Sequence, residues 1–386
     1  MPFLFQHRQC FAVLGLMVVL LLGNGCKTLE EGLTSNVIDP VSAHQRVAEL
    51  VGENYFDPEF RGRDWNIITE THKDSVINTT DYRHTYLALK KMVNELGDAH
   101  TFVLAPHEVQ QSKGSLKIGT GMITTELSEQ KIVAQVLPNS PAERAGIQKG
   151  WIILEDGSKG WDTRYRFLDP TDHVIERTIS PELIENESEQ RYSALLEEDT
   201  LYLRFDSFDT GLTEWILKEV QKHPKTDKLI IDLRWNLGGR IKELDQLFPY
   251  LLQKGTKLGT LVSRNQSEEQ WSVEVDVQSP IHHWSITLLT GERTSSCSEI
   301  LASVLQHHGK AKVIAQNLSA GKVLISPNWP LAGGGVLQIS TRNYVNPNGN
   351  ALEGLGVRPD VWVKRASLEQ LRKGVDPVLQ TALLEI

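Results

Sequence analysis

The chain has 386 residues, 40% of them hydrophobic and 23% charged, the balance of a globular protein long enough for two or three domains and a sizeable core. A net charge of -9 and a pI of about 5.8, with no run of lysine or arginine, count against a nucleic-acid surface.

At the N-terminus, His7 and Arg8 precede an unbroken apolar stretch from Phe11 to Leu22, which is too short to span a bilayer and has the length of a signal-peptide core. It ends in LLGNGCKT, where the small Gly25 precedes Cys26. This resembles a bacterial lipoprotein cleavage box. The resemblance implies a signal peptide over residues 1–25, export to the cell envelope and a lipid anchor at Cys26 that holds the chain to a membrane facing the periplasm. Lys27, where an aspartate would signal inner-membrane retention, favours the outer membrane; cleavage without lipidation is the alternative. Cys10 then leaves with the signal and Cys26 carries lipid, so Cys297 is the one other thiol and no internal disulfide supports the mature fold.

A tether and helical region follow over residues 26–110. Tyr86, Leu89, Val93 and Leu96 share one face of a helix expected over Thr85 to Leu96, with Gly97 suited to end it. His100 then sits where that helix gives way to a strand over Thr101 to Leu104. From about Gly114 the pattern turns to short strands separated by glycine turns, and residues 111–190 read as a small β-rich unit. Within it, PNSPAERAGIQKGWIILEDG spells a turn, a short helix through Ala142 to Ala145, a stop at Gly146 and a strand. This order resembles a PDZ domain, with Trp151 in place of the usual aspartate. In that resemblance, Gly119, Thr120, Gly121 and Met122 form the loop that binds a peptide's terminal carboxylate while the peptide adds to a sheet edge.

From Leu201 onward strands and helices alternate: LYLRFDSF, a helix over Leu212 to Lys222, a strand over Lys228 to Arg234, WNLGGR, a helix from Ile241 to about Leu252, and a strand over Ser285 to Thr290. Such repeats predict an α/β core over residues 191–386 with a largely parallel sheet, whose chemistry lies where strands give way to helices.

The last of those strands leads into RTSSCSEILASVL. Ser296 stands three residues before Glu299 ahead of an apolar helical run, which is the pattern of a capping box. It is also a good place for a nucleophile, because a helix N-terminus sets positive potential and free N–H groups beside the hydroxyl. Amide hydrolysis needs a nucleophile, a base and donors for an oxyanion. Ser296 supplies the first, and the backbone N–H groups of Cys297 and of Gly238 in NLGG are candidates for the last. His282–His283 and His307–His308 are adjacent pairs without metal-ligand spacing, so no metal and no cofactor is expected.

LGDAH, the PDZ-like stretch, IIDLRWNLGG, SSCSEILASVLQHHGKAKV and EGLGVRPDV stand in the order found in carboxyl-terminal processing, or tail-specific, serine peptidases and their tricorn-like relatives. The likeness runs from about Tyr55 to about Val363. It implies a crotonase-like α/β peptidase core with an N-terminal helical region and an inserted PDZ-like domain, and an endopeptidase that cleaves peptide or protein tails. It assigns the nucleophile to Ser296 and leaves two bases open. In the tricorn-like pattern, His100 is the base and Glu353, in LEGLGVRPD, orients it. In the dyad pattern the base is a lysine, for which Lys322 in LSAGKVLIS is the candidate; the triad fits the wording better. Two other functions stay open: a catalytically inactive peptide-binding lipoprotein of the same fold, and a hydrolase of small esters or amides.

Overall fold

The computed structural model describes residues 38–113, 116–127, 129–137, 139–158, 163–185 and 191–386; the expected signal segment and Cys26 lie outside them.

Three helices open the described chain, Pro40–Asn54, Trp65–Ile77 and Tyr82–Asn94. Each is capped by an aspartate, Asp39, Asp64 and Asp81 in turn, whose carboxylate accepts first-turn N–H groups. The cap at Asp81 starts the third helix earlier than the apolar spacing suggests, and it ends two residues before Leu96. Their apolar faces, with Val47, Val51, Leu89, Met92 and Val93, close on Leu337 and Ile339 from much later in the chain. That contact exists because strand Phe102–Leu104 pairs antiparallel with Val336–Gln338, which pairs in turn with Asn328–Pro330.

The core sheet has six strands in the order Val361–Trp362, Ala311–Ala315, Ser285–Thr290, Lys228–Asp232, Thr200–Phe205 and Arg191–Leu196. All neighbours are parallel except the last pair. Alternate side chains of its strands point to opposite faces. Leu201, Leu203, Leu229, Ile231, Ile286 and Leu288 are buried with residues of the helices Leu212–Lys222, Ile241–Leu251 and Cys297–His307. On the other face, Tyr202, Ile230, Leu289 and Ile314 pack with Val378 and Ala382 of helix Pro377–Glu385. Burial on both faces explains why these strands read as continuous apolar runs.

Between helical region and core stands a five-stranded antiparallel sheet, in the order Met122–Leu127, Gln130–Val136, Ile152–Ser158, Thr163–Leu168 and Val174–Ile179. Its one-turn helix, Pro141–Arg144, is capped by Ser140. Trp151 belongs to this module's core, edge-on to Phe167 at 5.6 Å between ring centroids, so the large side chain serves packing there.

Candidate active site

Ser296 occupies a sharp turn between strand Ser285–Thr290 and helix Cys297–His307. Its backbone, at φ 58° and ψ −124°, lies in a region that side-chain-bearing residues rarely adopt. The surrounding bonds over-determine that geometry. Ser296 N–H donates to the Lys322 carbonyl at 2.7 Å and to Glu299 Oε2 at 3.1 Å. Ser295 N–H donates to the Asn236 carbonyl at 3.0 Å, and Thr294 Oγ1 donates to the Leu233 carbonyl at 2.8 Å. Ser296 and Glu299 therefore form the expected capping pair, with the Glu299 carboxylate on the Ser296 N–H. Cap and candidate nucleophile fall on one residue.

Glu299 does more than cap. Fully buried, it also accepts from Ser319 Oγ at 2.5 Å, from Gly321 N–H at 2.7 Å and from Lys322 N–H at 2.8 Å. Burial pushes its carboxyl above the usual range, against the pull of these donors. It ties the nucleophile's turn to the segment 319–322.

Gly238 packs directly against the serine: a Cβ there would lie 2.5 Å from Ser296 Cβ and 3.0 Å from Oγ, on a backbone with φ +96°. The expected N–H donor is engaged. Gly238 N–H donates to Asn236 Oδ1 at 2.8 Å, because the asparagine closes a tight turn over its own backbone. Asn236 is wholly buried, and its Nδ2 donates to the Phe205 carbonyl at 2.8 Å. Among the described residues the Cys297 N–H, in the first turn of its helix, has no acceptor in another residue. Of the two candidate oxyanion donors, one N–H is thus open and the other is committed. The Cys297 thiol is 3% exposed, donates to the Gly239 carbonyl at 3.4 Å, and is pushed up to about 12 by burial. It stays protonated and takes the small buried residue's role.

His100 comes from the N-terminal region, just before strand Phe102–Leu104. Its carbonyl accepts from Gln338 Nε2 at 3.0 Å, and its N–H donates to Asp98 Oδ1 at 2.8 Å. Burial holds its pKa below the ordinary value of 6.5; Asp98 opposes that shift and the charge of Lys322 adds to it. The expected bond from His100 to Glu353 is not formed. Among the described residues the imidazole makes no hydrogen bond, and its Nδ1 is buried without a partner. Glu353 instead accepts from Val323 N–H at 2.9 Å and lies 3.9 Å from Arg61 Nη1, while burial raises its carboxyl's pKa. Lys322 contributes its backbone to the serine's turn, and its side chain is exposed, without the enclosure that a lysine base needs.

Sequence reasoning missed Asn236, Asp98 and Arg61, and took Glu299 as a cap alone. Asp98 had a signal in LGDAH and Asn236 one in WNLGG, as polar residues two before a candidate site residue. Arg61 had none.

In the β-rich module, the Thr120 and Gly121 carbonyls accept from Ala142 and Leu137 N–H groups, each at 2.9 Å. Gly121, at φ +79°, abuts Ser140 so closely that a Cβ would lie 2.2 Å from the serine's. Gly119 is paired with Glu182. Met122 begins the strand at the sheet's edge, where one side is open to a further strand.

Residues 199–363 match the profile of peptidase family S41. A carboxyl-terminal-processing protease of Picosynechococcus is 26% identical over 357 residues, covering 86% of this chain and 84% of that protein. Among solved structures, a photosystem II D1 C-terminal processing protease superposes with a TM-score of 0.61 at 20% identity, over 89% of this chain and 99% of the other. A lipoprotein from Streptococcus agalactiae gives a TM-score of 0.57 at 14% identity, over 89% and 97%.

Proposed function

As a serine peptidase with a family S41 region over residues 199–363 and carboxyl-terminal-processing relatives along most of its length, we propose that this chain is an endopeptidase cleaving peptide or protein tails with Ser296. The observation that carries the reading is the Ser296 turn, a strained strand-to-helix corner that presents Oγ at a helix N-terminus with the Cys297 N–H open beside it. In this reading, Oγ attacks the scissile carbonyl as His100 takes its proton. The carbonyl oxygen becomes an oxyanion facing Cys297 N–H, and Gly238 N–H joins when it turns from Asn236 Oδ1. His100 then gives the proton to the leaving amine, and water hydrolyses the acyl-enzyme by the same base. The neutral imidazole favoured by burial supports His100 over Lys322. Glu353 serves as orienting carboxylate once it exchanges Arg61 for the imidazole.

The domain reading joins this proposal: tether and helices over residues 26–110, a PDZ-like module over 111–190 and the protease core over 191–386. Tails would meet the open edge of strand Met122–Leu127, near the Gly119 to Met122 loop. Export, with an anchor at Cys26, would place the enzyme in the cell envelope.

The test is labelling by a serine-reactive phosphonate together with cleavage of an unfolded protein bearing an apolar C-terminus. Wild type should label at Ser296 and cleave; Ser296→Ala and His100→Ala should lose cleavage, and Lys322→Ala should keep it. Folded wild type that neither labels nor cleaves would leave the inactive binding protein as the better account. Loss with Lys322→Ala and retention with His100→Ala would replace the triad by the dyad.

A further inference from the structure

Arg61 meets Glu353 from a short strap, residues 57–62, whose backbone is unusual. Phe60, Arg61 and Gly62 follow one another with φ of 46°, 59° and 77°, a left-handed run that side-chain-bearing residues avoid. Such conformations persist where the surroundings over-determine them, and they gather at functional sites. Here the surroundings do so. Asp57 accepts the Glu59 N–H at 3.0 Å and the Arg61 N–H at 2.6 Å. The Phe60 ring stacks on Tyr55 and on Trp65, at 5.7 and 6.1 Å between centroids, and the Arg264 guanidinium lies 4.9 Å from its centre. Arg264 Nη1 also donates to the Tyr55 carbonyl at 3.0 Å, so the hairpin between strands Lys257–Ser263 and Glu268–Ser272 clamps the strap.

The clamped strap sets one charge against one carboxylate. Arg61 Nη1 stands 3.9 Å from Glu353 Oε1, an ion pair too long for a hydrogen bond, while Glu353 Oε2 takes the Val323 N–H. Glu353 is close to the nucleophile's frame: Gly354 N–H donates to the Gly321 carbonyl at 2.8 Å, in the loop whose Lys322 carbonyl receives the Ser296 N–H. Asp98 ties the same region to the imidazole, since its carboxylate holds the His100 N–H and its charge acts on both His100 and Glu353. The other charges acting there are Glu299, which opposes ionisation of Glu353, and Lys322, which opposes the imidazolium. Arg61 favours the Glu353 anion, and so competes for it with any imidazolium formed on His100. The Arg61 side chain is 37% exposed and that of Glu353 16%, so the guanidinium is free to leave while the carboxylate stays enclosed. A long, partly exposed ion pair is weak, which suits a contact made to be broken.

We propose that Arg61 is a positioning residue that acts through Glu353: while it holds the carboxylate the imidazole has no orienting partner, and its release hands the carboxylate to His100. The inference rests on the peptidase reading, in which Glu353 orients the base, and adds the residue that withholds it. A carboxylate moved onto the imidazole stabilises the imidazolium, so release raises the pKa of His100.

The test is an NMR titration of His100 in the full chain carrying Ser296→Ala, with the resonance assigned by its loss in His100→Gln. Adding Arg61→Asn removes the charge with a residue that tolerates a left-handed φ. It should raise the His100 midpoint by about half a pH unit, the reach of a weak ion pair. Arg61→Gln should agree with it, and Arg61→Lys should restore most of the original value; thermal melts check that each variant is folded. In the Glu353→Gln background Arg61→Asn should move the midpoint much less. With Ser296 intact, Arg61→Asn should raise kcat about threefold with little change in KM, and Glu353→Gln should cancel the gain. A midpoint that stays or falls, an equal rise in both backgrounds, or a loss of kcat in folded Arg61→Asn overturns the proposal. Phosphonate labelling of wild type judges the peptidase reading separately, and the titration needs no activity, so either can fail without the other.

Discussion

At the scale of single residues, the site is organised around the φ of Ser296 and the missing side chain of Gly238. A methyl group at 238 would sit 2.5 Å from Ser296 Cβ on a backbone that disfavours any side chain. Gly238→Ala should therefore lower kcat/KM by about a hundredfold or more, since small displacements of a reacting group carry costs of that order. Steady-state kinetics beside a thermal melt would separate this loss from unfolding. The imidazole gives a pH prediction. In the proposed mechanism His100 is the base only when neutral, and burial keeps its pKa below 6.5, so the acid limb of kcat/KM should have its midpoint below 6.5. Lys322→Ala removes a charge that opposes the imidazolium, so it should move that midpoint upward without abolishing activity. A limb above 6.5 in wild type would exclude the neutral buried imidazole as base.

At the scale of elements, two turns at the ends of neighbouring strands are joined as one unit. Asn236 closes the glycine turn with its side chain and receives Ser295 N–H and Ser298 Oγ–H on its own carbonyl. Asn236→Ala would leave Gly238 N–H and the Phe205 carbonyl without their present partner, at about 1–3 kcal/mol for each buried group. Urea unfolding should show a loss of about 2–6 kcal/mol for the two together. Activity should fall further than stability explains, because Ser296 and Gly238 would no longer share a frame. The elements themselves were largely legible. Helix Leu212–Lys222 and strand Ser285–Thr290 begin and end where the apolar pattern predicts. The third N-terminal helix was shifted because Asp81, a side-chain cap outside the apolar period, sets its start.

At the scale of the whole molecule, the module, the core and the final helix meet around a buried charge network. Burial acts to raise the carboxyl of Asp232, but Arg234, with Arg204 and the Tyr202 hydroxyl, brings it down from 3.8 to about 2. A lowered carboxyl pKa contributes stability above the unfolded value of 3.8 that is lost as pH falls through about 2. Removing the charge altogether is harsher: Asp232→Asn leaves Arg234 with Asp376 alone and should cost about 3–5 kcal/mol at neutral pH, as for other broken buried pairs. Chemical denaturation of the folded variant would measure it, and a loss under about 1 kcal/mol would mean that solvent or Asp376 compensates.

The sequence by itself determined the alternating core and the strand-to-helix corner at Ser296. These depend on local period, capping and turn chemistry within a few residues. Tertiary structure alone decided how the distant pieces meet. His100 arrives because Phe102–Leu104 pairs with Val336–Gln338, and Glu353 is drawn to Val323 and Arg61 instead of to the imidazole. Gly238 N–H turns to Asn236, and the charge network at the module's junction forms from strands, a turn and a terminal segment that no local pattern links. Hydrogen-bond competition among groups brought together by folding settles such partners, and a linear pattern of residues does not contain the distances on which that competition depends.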